Sequence, residues 1–193
     1  MTVRKATYAD IPDLMQIFSK ARGIMRESGN MNQWNDSYPS EEIIRKDIDG
    51  GYCMLLCEQD SILATMAFIP GPDPTYAEIY DGEWTDDNPY YVIHRIAVRE
   101  PGHKAAEKLM DWAFRYLEEK DKKAAVSIRT GIRIDTHRDN IIMHHILAKL
   151  GFTRCGVILL ANGDPRDAYL MSSRVMSNIK VENALMAPAG REP

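Results

Sequence analysis

The chain lacks the features that announce a membrane, a secreted or a nucleic-acid-binding protein. No stretch approaches the roughly 20 consecutive apolar residues that a membrane-spanning helix needs. Residues 1–10 alternate charge and apolarity and hold no apolar core of the signal-peptide kind. Cysteine is scarce: Cys53, Cys57 and Cys155 are odd in number and show no paired metal-ligand spacing, so they read as reduced, structural thiols. With 24 Lys and Arg against 28 Asp and Glu, the net charge of −4 leaves no basic stripe for nucleic acid. There is no Gly-x-Ser-x-Gly, and no cysteine follows a strand at a turn, which removes the nucleophile of an α/β hydrolase. The expectation is a soluble, cytoplasmic protein without a nucleic-acid or membrane partner.

What is present suits one globular domain. A chain of 193 residues, 45% hydrophobic and 27% charged, can bury a sizeable core without disulfide or metal. Residues 2–7 read as a short strand with Val3 inward. Asp10 reads as a helix N-cap, with Pro12 in the first turn and Ile11, Leu14, Met15, Phe18 and Met25 at helical spacing. Pro39 and Ser40 open a second helix to about Ile48, closed by Gly50 and Gly51. Residues 52–58 and 62–69 are apolar runs around a turn at Asp60, a hairpin pattern. Residues 70–89 form a long loop rich in Pro, Gly and Asp that carries Tyr76, Tyr80 and Trp84. A strand over 91–98 leads through Gly102 into a helix to about Lys120. A strand over 131–136, a helix over 139–150 stopped by Gly151, and a hairpin of 153–161 with 166–173 around Asn162-Gly163 complete the pattern. The order predicts an α/β fold with a mixed, twisted sheet. Residues 175–193 lack a clear pattern and read as a C-terminal extension or tail.

The segment YYVIHRIAVREPGHKAAEKLMDW passes from a strand through a glycine turn straight into a helix. Free backbone N–H groups and the helix dipole make such a turn able to hold a phosphate, with His103 and Lys104 as added donors. Many strand-to-helix turns with a glycine bind nothing, so the segment alone leaves both readings open.

The ordered series RKAT, HRIAV, a helix, IRIDTHRDN, a helix ending LAKLGF and a hairpin containing RDAYL resembles the GCN5-related N-acetyltransferase (GNAT) family. The resemblance spans nearly the whole chain and implies the acyl-CoA N-acyltransferase fold. That fold is a largely antiparallel sheet of about six or seven strands flanked by about four helices, here over residues 1–174. It further implies acetyl-CoA as co-substrate and a primary amine, of a small molecule or a peptide, as acceptor. Cofactor contacts map onto the main chain of Ile96, Ala97 and Val98, and onto the turn of Gly102, His103, Lys104, Ala105 and Ala106. The family's Arg/Gln-x-x-Gly-x-Gly/Ala loop is placed at Pro101, Lys104 and Ala106, of which Ala106 alone matches. Asn140 matches a family asparagine near the sulfur end; its structural alternative is a helix N-terminal residue. Leu147 stands where the family often has a tyrosine that protonates the thiolate.

For the base that takes the amine proton, the resemblance to arylalkylamine members and the chemistry of imidazole both point to His94, two residues before Ile96 and expected on the same strand face. A main-chain N–H near Ile96 is expected to meet the oxyanion. Acceptor-lining candidates are Trp34, Tyr80, Glu83, Asp135 and His137, against the plainer roles of core anchor, surface loop and helix cap. No metal is expected: His144 and His145 are neighbours on a helix, about a hundred degrees apart, and cannot share one ion. A homodimer, a habit of the family, could use the tail. The alternative to an enzyme is a degenerate member of the fold that binds acyl-CoA, or serves as an assembly module, without catalysis.

Overall fold

The computed structural model describes residues 1–124 and 129–172. The expected tail, the domain limit at 174 and any dimer surface on the tail lie outside them. Among the described residues, seven strands and four α-helices follow in the predicted order. They are β1 (Thr2–Lys5), α1 (Ile11–Glu27), α2 (Glu41–Asp49), β2 (Cys53–Glu58), β3 (Ser61–Pro70), β4 (Tyr90–Val98), α3 (Ala105–Ala124), β5 (Gly131–Thr136), α4 (Ile141–Lys149), β6 (Thr153–Leu159) and β7 (Pro165–Met171). One sheet contains them all in the order β1-β2-β3-β4-β5-β7-β6. Every neighbouring pair is antiparallel except β4 and β5, which run parallel because α3 carries the chain across.

Two helices cover each face. On one face α1 lays Leu14, Ile17, Phe18 and Ala21 against Cys53, Leu55 and Cys57 of β2, with Ile44 of α2 beside them. On the other, Leu109, Met110, Ala113 and Leu117 of α3 and Leu147 of α4 meet Met54, Leu56, Met66, Ile93, Ile132 and Ile134. The alternation along β2 is the period-two pattern of a strand buried on both sides. All three cysteines are buried and free, and burial pushes the Cys53 thiol up to about 11, which keeps it a thiol rather than a nucleophile.

Local signals act as expected at several ends. Ser40 caps α2 by accepting from the Ile43 N–H, and Gly151, in the left-handed region, ends α4. Asp10 differs from the expectation. It occupies the N-cap position of α1, yet its carboxylate turns back to Arg4 (2.7 and 2.8 Å) and to the Thr7 N–H (2.8 Å), tying β1 to the helix instead of capping it. The long loop is ordered around a buried ring: Tyr76, 1% exposed, packs with Val92, Ile158 and Ala168, and Trp84 donates to its carbonyl. The loop thereby roofs the part of the sheet that α1 and α2 leave uncovered.

Candidate active site

The site begins where β4 leaves β5. Their pairing covers Tyr90–Val92 and ends at Val92 opposite Arg133, although β4 continues to Val98 and β5 to Thr136. On its other edge β4 stays paired with β3, but the register slips: Ala67 faces His94 and Thr65 faces Ala97, so two residues, Arg95 and Ile96, oppose Met66. This is a β-bulge, and Arg95 takes a φ of +53° within it. The strain is held by a buried bidentate pair: Arg95 donates to both carboxylate oxygens of Asp47 on α2, each at 2.8 Å.

The bulge corrects one expectation. In a regular strand His94 and Ile96 share a face; here the extra residue shifts the parity. Ile93 and Ile96 both join the core under α3, while His94 lies on the opposite face, stacked on Tyr76 with ring centroids 6.1 Å apart.

A cavity of about 650 Å³ occupies the gap. Its wall includes Ile93, Ile96, Ile134 and Met143 from the α3–α4 side and Trp34, His94, Asp135 and Arg166 from the other side. It therefore lies at the splay, lined by residues from both faces of the sheet.

His94 sits between two carboxylates on that far side. Its Nε2 lies 2.9 Å from Asp73 Oδ2, and its Nδ1 lies 3.9 Å from Asp135 Oδ1. The hydrogen bond from His94, with help from the Thr75 N–H, holds the Asp73 carboxyl down at about 2, so Asp73 is ionised and can only accept. Nε2 must then carry its proton, and the Nδ1 position is turned toward Asp135 and the cavity. Asp135 is fixed in turn by the Tyr76 hydroxyl, which donates to it at 2.6 Å; burial, then the Asp135 charge, pushes that phenol well above its ordinary range and keeps it a donor. Asp73 and Tyr76 come from the long loop, so the loop supplies the partners of the histidine.

At the start of α3, Gly102 has φ +90° with open space where a Cβ would stand, and Lys104 has φ +53°, the conformation that favours glycine. Lys104 thus takes a backbone conformation usually left to glycine. The side chains of Gly102's neighbour His103 and of Lys104 are exposed, while Ala105 and Ala106 are buried in the core, so these two can offer a ligand only main-chain N–H groups.

The remaining candidates separate. Trp34 both lines the cavity and packs between Phe18 and Tyr38, at 5.9 and 5.8 Å. Asn140 lines the cavity, caps α4 through the Met143 N–H at 3.1 Å, and donates to Gln33 Oε1 at 2.8 Å. Gln33, absent from the sequence candidates, thereby straps the loop after α1 to the β5–α4 junction. Tyr80 and Glu83 are exposed and not on the cavity wall; Tyr80 exchanges backbone hydrogen bonds with Val157 and its hydroxyl donates to Glu78. His137 accepts from the Asp139 N–H at 3.2 Å, a turn-capping contact, and burial lowers its pKa, with the Arg166 charge adding to the effect. Leu147 is fully buried. Among the described residues no group of three or more His, Cys, Asp or Glu could hold a metal ion.

Comparison with solved structures finds the fold in known proteins. A GNAT-family acetyltransferase from Streptococcus agalactiae is 31% identical, with 89% of this chain and 94% of that chain covered and a TM-score of 0.69. The chain belongs to the GNAT family of acetyltransferases. A putative acetyltransferase from Staphylococcus aureus shares the fold at 20% identity (90% and 99% covered, TM-score 0.65). So does the NatC complex bound to Gag peptide and CoA, at 12% identity (89% and 97% covered, TM-score 0.57). No family model and no curated protein matches the sequence. No helix among the described residues is long and apolar enough to cross a membrane.

Proposed function

We propose that this GNAT-family chain moves the acetyl group of acetyl-CoA to a primary amine by direct attack in a ternary complex, with His94 as the base. The observation that supports it most is the cavity at the splay, lined from both faces of the sheet. Donor and acceptor can enter it from opposite sides and meet at the bulge. An acyl-CoA fits the residues present: the β4 edge beyond Val92 is released from β5, and the turn with open space at Gly102 and left-handed Lys104 leads into the free N–H groups of α3. Acetyl-CoA supplies the acyl group as a thioester. The CoA named with one structural relative supports this choice of donor.

The chain's own part is positioning and proton transfer. Asp73 fixes Nε2–H of His94, leaving Nδ1 to take a proton from an amine held near Asp135. The two carboxylates favour an acceptor that arrives as a cation. A main-chain N–H at the bulge near Ile96 meets the developing oxyanion. Leu147 has no transferable proton, so the thiolate takes its own from solvent at the cavity mouth.

Melting with and without saturating acetyl-CoA, against desulfo-CoA and nucleotide controls, tests the reading. A ligand at about a hundred times its Kd stabilises by ~2.7 kcal/mol, or roughly 5–10 °C for a chain of this size. Thiol release with a panel of amines then tests transfer. A shift without release for any amine would favour the second reading, a binding module, which Lys104 and Leu147 support.

A further inference from the structure

Arg166 is a buried, charged residue of the cavity wall that the proposed reaction leaves unused. Its side chain is 4% exposed, yet it lines the cavity. Its one hydrogen bond among the described residues runs from Nη1 to the Pro165 carbonyl at 3.0 Å, and the carboxylate nearest to it, Asp164 Oδ2, stays 3.9 Å away. Asp164 is half exposed and held by Asn162, whose Nδ2 donates to it at 2.8 Å. A guanidinium has five N–H donors, and burying it without a close anion is costly. Such a group on a cavity wall is built for an anion that arrives with the ligand.

Its position relative to His94 follows from the sheet. Ala168 of β7 pairs with Asp135 of β5 and lies in the cluster around Tyr76, on the face that carries His94. Arg166, two residues earlier on the same strand, shares that face. Strand spacing and rise put its Cα about 8 Å from that of Asp135. One end of the acceptor side is therefore acidic, with Asp73 and Asp135 beside His94, and the other carries Arg166, with half-exposed Asp164 3.9 Å from it on the same wall.

We infer that the acceptor is an amine that also carries a carboxylate, its nitrogen at His94 and its carboxylate on Arg166. The inference rests on the acetyltransferase reading and narrows its substrate class. Arg166 then acts in specificity, since a neutral analogue leaves the guanidinium unpaired while gaining nothing.

The test is acetyl transfer, followed as thiol release, to L-alanine, glycine, β-alanine and γ-aminobutyrate, each beside its carboxamide and with aminoethyl phosphate as a further arm. The expected result is a kcat/KM at least about tenfold higher for some carboxylate than for its amide. Arg166→Gln brings that ratio near one, and Arg166→Lys leaves it in between. If Arg166→Gln fails to fold, the wild-type ratio and Arg166→Lys still decide. Amides or the phosphate preferred by the wild type, or a ratio unchanged in both variants, would overturn the inference and leave the acetyltransferase reading standing. Transfer to none of these amines would overturn the inference, and the acetyltransferase reading would then be decided separately by the acetyl-CoA melting shift and the wider amine panel.

Discussion

At the scale of single residues, the site is a histidine held between charges. His94→Gln should lower kcat by about 10²- to 10⁴-fold, the usual worth of a positioned base, with acetyl-CoA affinity nearly unchanged. Initial rates across pH, together with a melting shift by acetyl-CoA, check it; an unaltered pH profile would remove His94 as base. Asp73→Asn keeps an oxygen for the Thr75 N–H but loses the ionised acceptor that fixes the imidazole. It should lower kcat at least about tenfold with little change in KM for either substrate, which a purely structural contact would not produce.

At the scale of elements, two local features decide the cleft. The bulge in β4 depends on Arg95 and Asp47, whose side chains are 11% and 9% exposed. Asp47→Ala leaves a buried guanidinium without its partner and should cost about 3–5 kcal/mol in urea unfolding. The turn before α3 depends on Lys104. Lys104→Gly should raise stability by about 1 kcal/mol, because the residue is left-handed and glycine meets no Cβ penalty there. Lys104→Glu, on an exposed side chain, should weaken acetyl-CoA binding about five- to tenfold at low salt and less at high salt. Ala106 is unsuited to this test, since a charge there would enter the core beneath α3.

At the scale of the molecule, stability should fall in acid. Arg4 holds Asp10 at about 2 and His94 holds Asp73 at about 2, both below an unfolded value of 3.8. A group with a depressed folded pKa binds fewer protons than the unfolded chain, so its stabilisation is present above the unfolded value and is lost as pH falls from 3.8 through about 2. Melting temperatures of wild type and Asp10→Asn should therefore converge over that window; a constant gap would show that Asp10 does not act through its charge.

The sequence by itself determined the kinds of element and their order, because hydrophobic period, caps and glycine stops act over a few residues. It pointed to the thiols as structural and to the strand-turn-helix at Gly102, and left Asn140 open between a cofactor contact and the head of α4. It also carried the family, since short motifs in a fixed order survive in one chain. Only the tertiary structure decided the site. The parity of β4 turned on a bulge held by Arg95 and Asp47, 48 residues apart. Tyr76 reached Asp135 across 59 residues, Asp73 reached His94 across 21, and Gln33 reached Asn140 across 107. The same closure left Tyr80 and Glu83 outside the cavity and turned Arg166, read in the sequence as part of a strand motif, into its wall. Each of these depends on how strands splay and how a loop folds back over the sheet, and no local period encodes a contact between segments that meet only when the core closes.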